Sequence, residues 1–127
     1  MKHPMLTRVA QGIAAMLMLM AAGMKFMGDP GSVEIFVRLG MEPTGRYLIA
    51  VVELTAALLL VSPFAALGSL MALAVMCGAI IAHVTQLGLV VNNDGGMSVG
   101  MLVVVLLCAG YVLVSRRKEI PFVGYTF

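Results

Sequence analysis

From Leu54 to Ser115 the only formally charged side chain is Asp94. A stretch of about 20 apolar residues is enough to cross a bilayer as a helix. This segment alone therefore holds about three crossings, interrupted at Ser62-Pro63 and around Asn92-Asn93-Asp94-Gly95-Gly96. Only 11% of the 127 residues are charged, against about 25% in a typical soluble domain. The chain lacks the charge to coat a water-facing surface, and one compact membrane domain over residues 1–127 is the economical reading.

Four spans are expected, at about 7–27, 44–61, 63–86 and 97–115. The fold class is thus an all-α integral membrane four-helix bundle. Gly28-Asp29-Pro30-Gly31 should stop the first span, since proline lacks the amide donor and glycine frees the turn. The segment 32–41 reads as a short amphipathic helix between spans one and two, with Ser32 as its N-cap and Gly40 as its left-handed C-terminal residue. Glu34 and Arg38 stand four apart, in the favourable order for a surface ion pair. Ser62 and Pro63 suit the cap and first turn of the third span.

Four crossings leave both termini on one side. Lys2, His3 and Arg8 precede the first span, and Arg116, Arg117 and Lys118 follow the last. By the positive-inside rule that side is the cytoplasm, with Arg38 and Arg46 opposing weakly. The first apolar segment runs too far, and its flanking residues fit a cleavage site too poorly, for a removed signal peptide; a retained span is expected.

Ionisable residues within spans are costly and usually face a bundle interior. There are three: Lys25, Glu53 and His83. Helix order brings all three to the outer leaflet. Lys25 ends an outward helix, Glu53 lies roughly 10 Å below Arg46 at the helical rise, and His83 ends the next outward helix. Lys25 and Glu53 read either as a structural ion pair that sets the register of two spans, or as a ligand anchor and proton acceptor. His83 reads either as a polar residue satisfied by a backbone carbonyl or Gln86, or as a proton shuttle or hydrogen-bonding partner for a quinone carbonyl. These residues are the candidate ligand site.

Other patterns carry less. Cys77 and Cys108 lie in separate apolar segments without a C-x-x-C pair, and read as small packing residues. The twelve methionines include Met16, Met20, Met24 and Met27 on one helical face, which suits gap-filling better than copper binding. One histidine and one carboxylate are too few to specify zinc, so no metal site is expected. Gly68-x3-Ala72, Gly78-x3-Ala82 and Gly96-x3-Gly100 would let helix backbones approach. No nucleophile triad, phosphate loop or basic aromatic-interleaved stripe is present, so autonomous covalent catalysis and nucleic-acid binding are not supported.

Four pieces occur in order: Ala22-Gly23-Met24-Lys25-Phe26, Leu39-Gly40-Met41-Glu42-Pro43, Val52-Glu53-Leu54 and Gly78-Ala79-Ile80-Ile81-Ala82-His83. With these pieces the chain resembles the DoxX family of small four-helix bacterial membrane proteins, over about residues 8–115. The resemblance implies an inner-membrane protein associated with redox systems, some of them quinone-coupled, and places Lys25, Glu53 and His83 at the family's recurrent polar positions. It implies a quinone as the cofactor to consider, and the lipid bilayer, other redox subunits or further copies of the chain as partners. The absence of paired cysteines departs from direct thiol chemistry. The leading expectation is an accessory, quinone-linked subunit with a polar intramembrane pocket. The alternatives are a structural or assembly subunit, or a transporter of a small solute or proton, for which no inverted repeat is visible.

Overall fold

The computed structural model describes residues 4–88 and 96–116, and all their regular structure is helical. Helix α1 spans Pro4–Met27, α2 Pro30–Leu39, α3 Thr44–Leu60, α4 Ala65–Ala82 and α5 Met97–Ser115; a π-helical turn, His83–Leu87, extends α4. The turn signal at Asn92–Gly95, the basic residues Lys2 and His3, and Arg117 and Lys118 lie outside the described residues.

Helices α1, α3, α4 and α5 form a ring in which α1 touches α3, α3 touches α4, α4 touches α5 and α5 closes on α1. Neighbours run antiparallel: Gln11 near the start of α1 bonds Leu60 at the end of α3 (2.6 Å), and Arg116 past the end of α5 bonds Gln11 (3.2 Å). Pro4–Met27, Ala65–Leu87 and Met97–Ser115 are each long and apolar enough to cross a membrane; α2 and α3 qualify only together, across a bend of 116°. At 17 residues α3 is one crossing's length only in a thin hydrocarbon layer, about 25 Å at the helical rise. Large apolar side chains cover the outside, among them Met16, Leu58, Leu107 and Val114. In a chain this poor in charge such a surface faces lipid, and the chain is an all-α membrane protein.

The half of the bundle holding the start of α1 and the end of α3 is closed by small residues. Ala14, Ala56, Ala65, Ala72 and Ala109 are fully buried there or at mid-depth. Gly68 explains the tightness of the α3–α4 hairpin. A methyl group at Gly68 would come within 2.7 Å of the Leu60 amide nitrogen. Of the three expected small-residue contacts, only Gly68–Ala72 is one. Gly78 and Gly100 have open space where a side chain would be, and Gly96 is the left-handed N-cap of α5 with φ 89°.

Helix ends follow their local chemistry, with corrections at the starts of α2 and α4. Gly28 at φ 71° ends α1 in a Schellman turn, its N–H bonding Lys25 O and the Asp29 N–H bonding Met24 O. Gly40, also at φ 71°, ends α2 in the same way through the Val37 and Phe36 carbonyls. Helix α2 begins two residues earlier than expected, however. Asp29, not Ser32, is its N-cap, and the Asp29 carboxylate accepts the Ser32 N–H (3.3 Å). Pro30 opens the helix, because a first-turn position has no use for the missing amide donor. Arg38 does not pair with Glu34 among the described residues; it donates to the Gln86 carbonyl (3.3 Å) and so ties α2 to the π-helical turn. Pro63 stays in the turn before α4, where the Ser62 hydroxyl accepts the Phe64 N–H (3.0 Å).

Candidate functional site

Every third or fourth residue of α1 from Thr7 to Ala22 is buried, and Lys25 continues that stripe. The facing stripe of α3 runs Arg46, Ala50, Glu53, Ala57, Leu60. Antiparallel packing of the two brings Lys25 Nζ to 2.8 Å from Glu53 Oε1. The Glu53 side chain is only 4% exposed and that of Lys25 17%, so the carboxylate is inside and the ammonium sits at a rim. Nζ lies close but off the direction of a good hydrogen bond, and Oε1 has no hydrogen-bond partner. The contact is one of charge.

Arg46, two turns before Glu53 on the same stripe, was legible only as a charge near a loop. It is buried. Its Nε donates to both Glu42 carboxylate oxygens, at 3.0 and 2.9 Å, and its Nη1 donates to the Lys25 carbonyl oxygen. The guanidinium carbon lies 4.4 Å from the centre of the Tyr47 ring. Arg46 thus places a cation on the C-terminal carbonyls of α1, where a helix dipole favours it. Gln11 performs the matching service at the far end, donating to the last carbonyl of α3. Each helix of the pair holds the other's C-terminus, which fixes their register and hence the meeting of Lys25 with Glu53. The signal for Arg46 was its four-residue spacing from Glu42; Gln11 was a lone amide in an apolar segment.

His83 opens the π-helical turn. The Gly88 N–H bonds the His83 carbonyl (2.8 Å), and His83 Nδ1 donates to the Gly88 carbonyl (2.9 Å). Gly88 at φ 78° makes this closure possible. Of the two bland partners expected for His83, the backbone carbonyl is the one used.

Lys25, Glu53 and His83 line one cavity of about 820 Å³. It occupies the half of the bundle where α1 ends and α4 gives way to the π-helical turn. Ile35, Phe36 and Leu39 of α2 form one wall, and Met76, Leu102 and Val105 line its deeper part. Helix α2 touches α1, α3 and the π-helical turn, so it lies across the opening. The lining is mostly apolar, with Ser32, Gln86 and Ser98 adding polar atoms. A volume of this size matches a small-molecule site, typically about 300–1,000 Å³ with a few polar groups. His83 also borders a second, outward groove of about 420 Å³ between α4 and α5, lined by Val84, Val99, Val103 and Leu106.

The remaining features lie elsewhere. Cys77 is exposed on the outside of α4 rather than packed, and Cys108 is partly buried against the core; both are free thiols. Met16, Met20 and Met27 are exposed along the outside of α1, whereas Met24, also exposed, borders the cavity. No group of three or more His, Cys, Asp or Glu side chains among the described residues is placed to hold a metal ion.

No curated protein and no solved structure shows a significant match to the chain. A model of the DoxX-like family matches residues 9–114, which include Lys25, Arg46, Glu53 and His83. The chain belongs to the DoxX-like family.

Proposed function

We propose that this is a multi-pass protein of the bacterial inner membrane that holds a quinone or a similar amphiphile in its cavity, as an accessory subunit of a membrane redox system. In this reading residues 1–127 form a single domain, both termini are cytoplasmic, and α3 crosses with the other three bundle helices. The carrying observation is the cavity of about 820 Å³ that has Lys25, Glu53 and His83 on its walls. An apolar chamber suits a ring and the first part of a hydrocarbon tail. The charged rim suits a polar headgroup. The outward groove beside His83 leads toward lipid, where a tail would continue. Native mass spectrometry of the protein released from mild detergent tests this: one bound amphiphile per chain is expected, and its loss on Ala79→Phe, which fills the cavity wall. A mass spectrum of bare protein under conditions that retain lipids on other membrane proteins would reject it.

A second reading has its own observation. The closed Lys25–Glu53 contact at 2.8 Å is what a purely structural clasp requires. It makes the protein a scaffold or assembly subunit, and predicts that Glu53→Gln harms folding with no ligand-dependent effect.

A further inference from the structure

The polar atoms of the cavity differ in what they lack. The Gly88 carbonyl can only accept, so the 2.9 Å contact with His83 requires that Nδ1 carry the proton. In the neutral ring Nε2 is then a bare acceptor. Glu53 is the second acceptor: a carboxylate offers about four lone-pair directions, and the ammonium of Lys25 engages Oε1 alone, which leaves Oε2 as the oxygen for a ligand. Lys25 is a donor, with N–H bonds to spare beyond its contact with Glu53. Ser32, Gln86 and Ser98 add groups that can donate or accept, so the wall can both receive a proton from a headgroup, at Glu53 or His83, and give one.

We propose that the cavity selects an amphiphile whose headgroup carries hydroxyl groups, and disfavours its carbonyl counterpart. This rests on the reading that the cavity holds an amphiphile at all. A hydroxyl donates and accepts, so it satisfies Glu53 or His83 Nε2 and still receives from Lys25. A carbonyl can only receive, and offers no proton to Glu53 or to His83 Nε2, so it makes one hydrogen bond fewer in an apolar chamber, where unmade hydrogen bonds are costly. Two sources share this chemistry: a hydroquinone, and the glycerol end of a monoacyl lipid. The reduced rather than the oxidised ring is the favoured redox form.

The test is equilibrium binding of decylubiquinol, decylubiquinone and monoolein to the full chain in phosphatidylcholine nanodiscs at pH 8, under nitrogen. One well-placed hydrogen bond corresponds to about a tenfold change in affinity, so decylubiquinol is expected to bind about tenfold tighter than decylubiquinone. His83→Phe and, separately, Glu53→Gln should each narrow that ratio, with helicity followed to show that the variants fold. Monoolein binding tighter than both would support the hydroxyl preference and assign it to a glycerol headgroup. Equal binding of the two ring forms, or tighter binding of the quinone, would overturn the proposal while leaving an amphiphile site intact. Binding of none of the three would overturn both.

Discussion

Removing Lys25 should damage the protein more than removing Glu53, although the two form one pair. At 2.8 Å and an effective dielectric of about 20, the direct attraction is about 6 kcal/mol. Withdrawing both charges from water costs several kcal/mol per ion, so the pair as a whole contributes little net stability. The asymmetry comes from what each deletion leaves behind. Lys25→Met leaves a carboxylate whose side chain is 4% exposed, and stranding a buried charge costs about 3–5 kcal/mol. Glu53→Gln leaves an ammonium that is 17% exposed at the rim, on a flexible stem that can reach polar surroundings; a loss of about 1–2 kcal/mol is expected, between that of an exposed ion pair and that of a stranded buried charge. Lys25→Met/Glu53→Leu removes both charges and should return to within about 1 kcal/mol of the parent, as replaced buried pairs often do. Helicity followed by circular dichroism during titration of dodecylmaltoside micelles with SDS reads these differences. Equal losses for the two single variants, with a double variant at their sum, would show that the two side chains do not act on each other and would refute the argument.

Three further outcomes follow from the packing. Gly68→Ala should cost about 1–3 kcal/mol by overpacking against the α3 backbone, whereas Gly78→Ala and Gly100→Ala, which meet open space, should leave the same SDS titration unchanged or improved. Gln11→Leu should cost about 1–3 kcal/mol, because the buried Leu60 carbonyl loses its 2.6 Å donor; an unaffected midpoint would mean that the α3 terminus does not need the clasp. A cysteine at Ser32 should react with an impermeant maleimide from the periplasmic side of intact cells, and labelling confined to inverted vesicles would reverse the proposed orientation.

What was legible in the sequence followed from period and depth. The uncharged run from Leu54 onward and the Gly-Asp-Pro-Gly break led to the α-helices among the described residues but not to the π-helical turn, and α5 falls at Met97–Ser115 as expected. Depth counting brought Lys25, Glu53 and His83 together because it needs only helix order and rise. Three things were not legible, each for a physical reason. Pro30 both breaks a helix and opens one, and only the Asp29 carboxylate before it decides which. Small residues at four-residue spacing occur at helix contacts and beside open space alike, so Gly78, which lines the cavity, and Gly68 look the same until a neighbour is seen. Arg46 was a charge to be counted toward topology, and its burial depends on where the Lys25 carbonyl ends up. A pocket at Lys25, Glu53 and His83 was expected from their depth, but its size was not: it is space that the Ala-rich half of the bundle closes and the other half does not.

The central claim is that an amphiphile sits inside the bundle, beneath α2 and against Lys25, Glu53 and His83. Photolabelling with an alkylquinol that carries a diazirine in its tail, followed by peptide mapping, tests it directly. Label is expected on the cavity wall, at Met76, Ala79 or Leu102, competed by unlabelled alkylquinol. Label found only on the outward side chains Met16, Leu107 and Val114, undiminished by competitor, would contradict it.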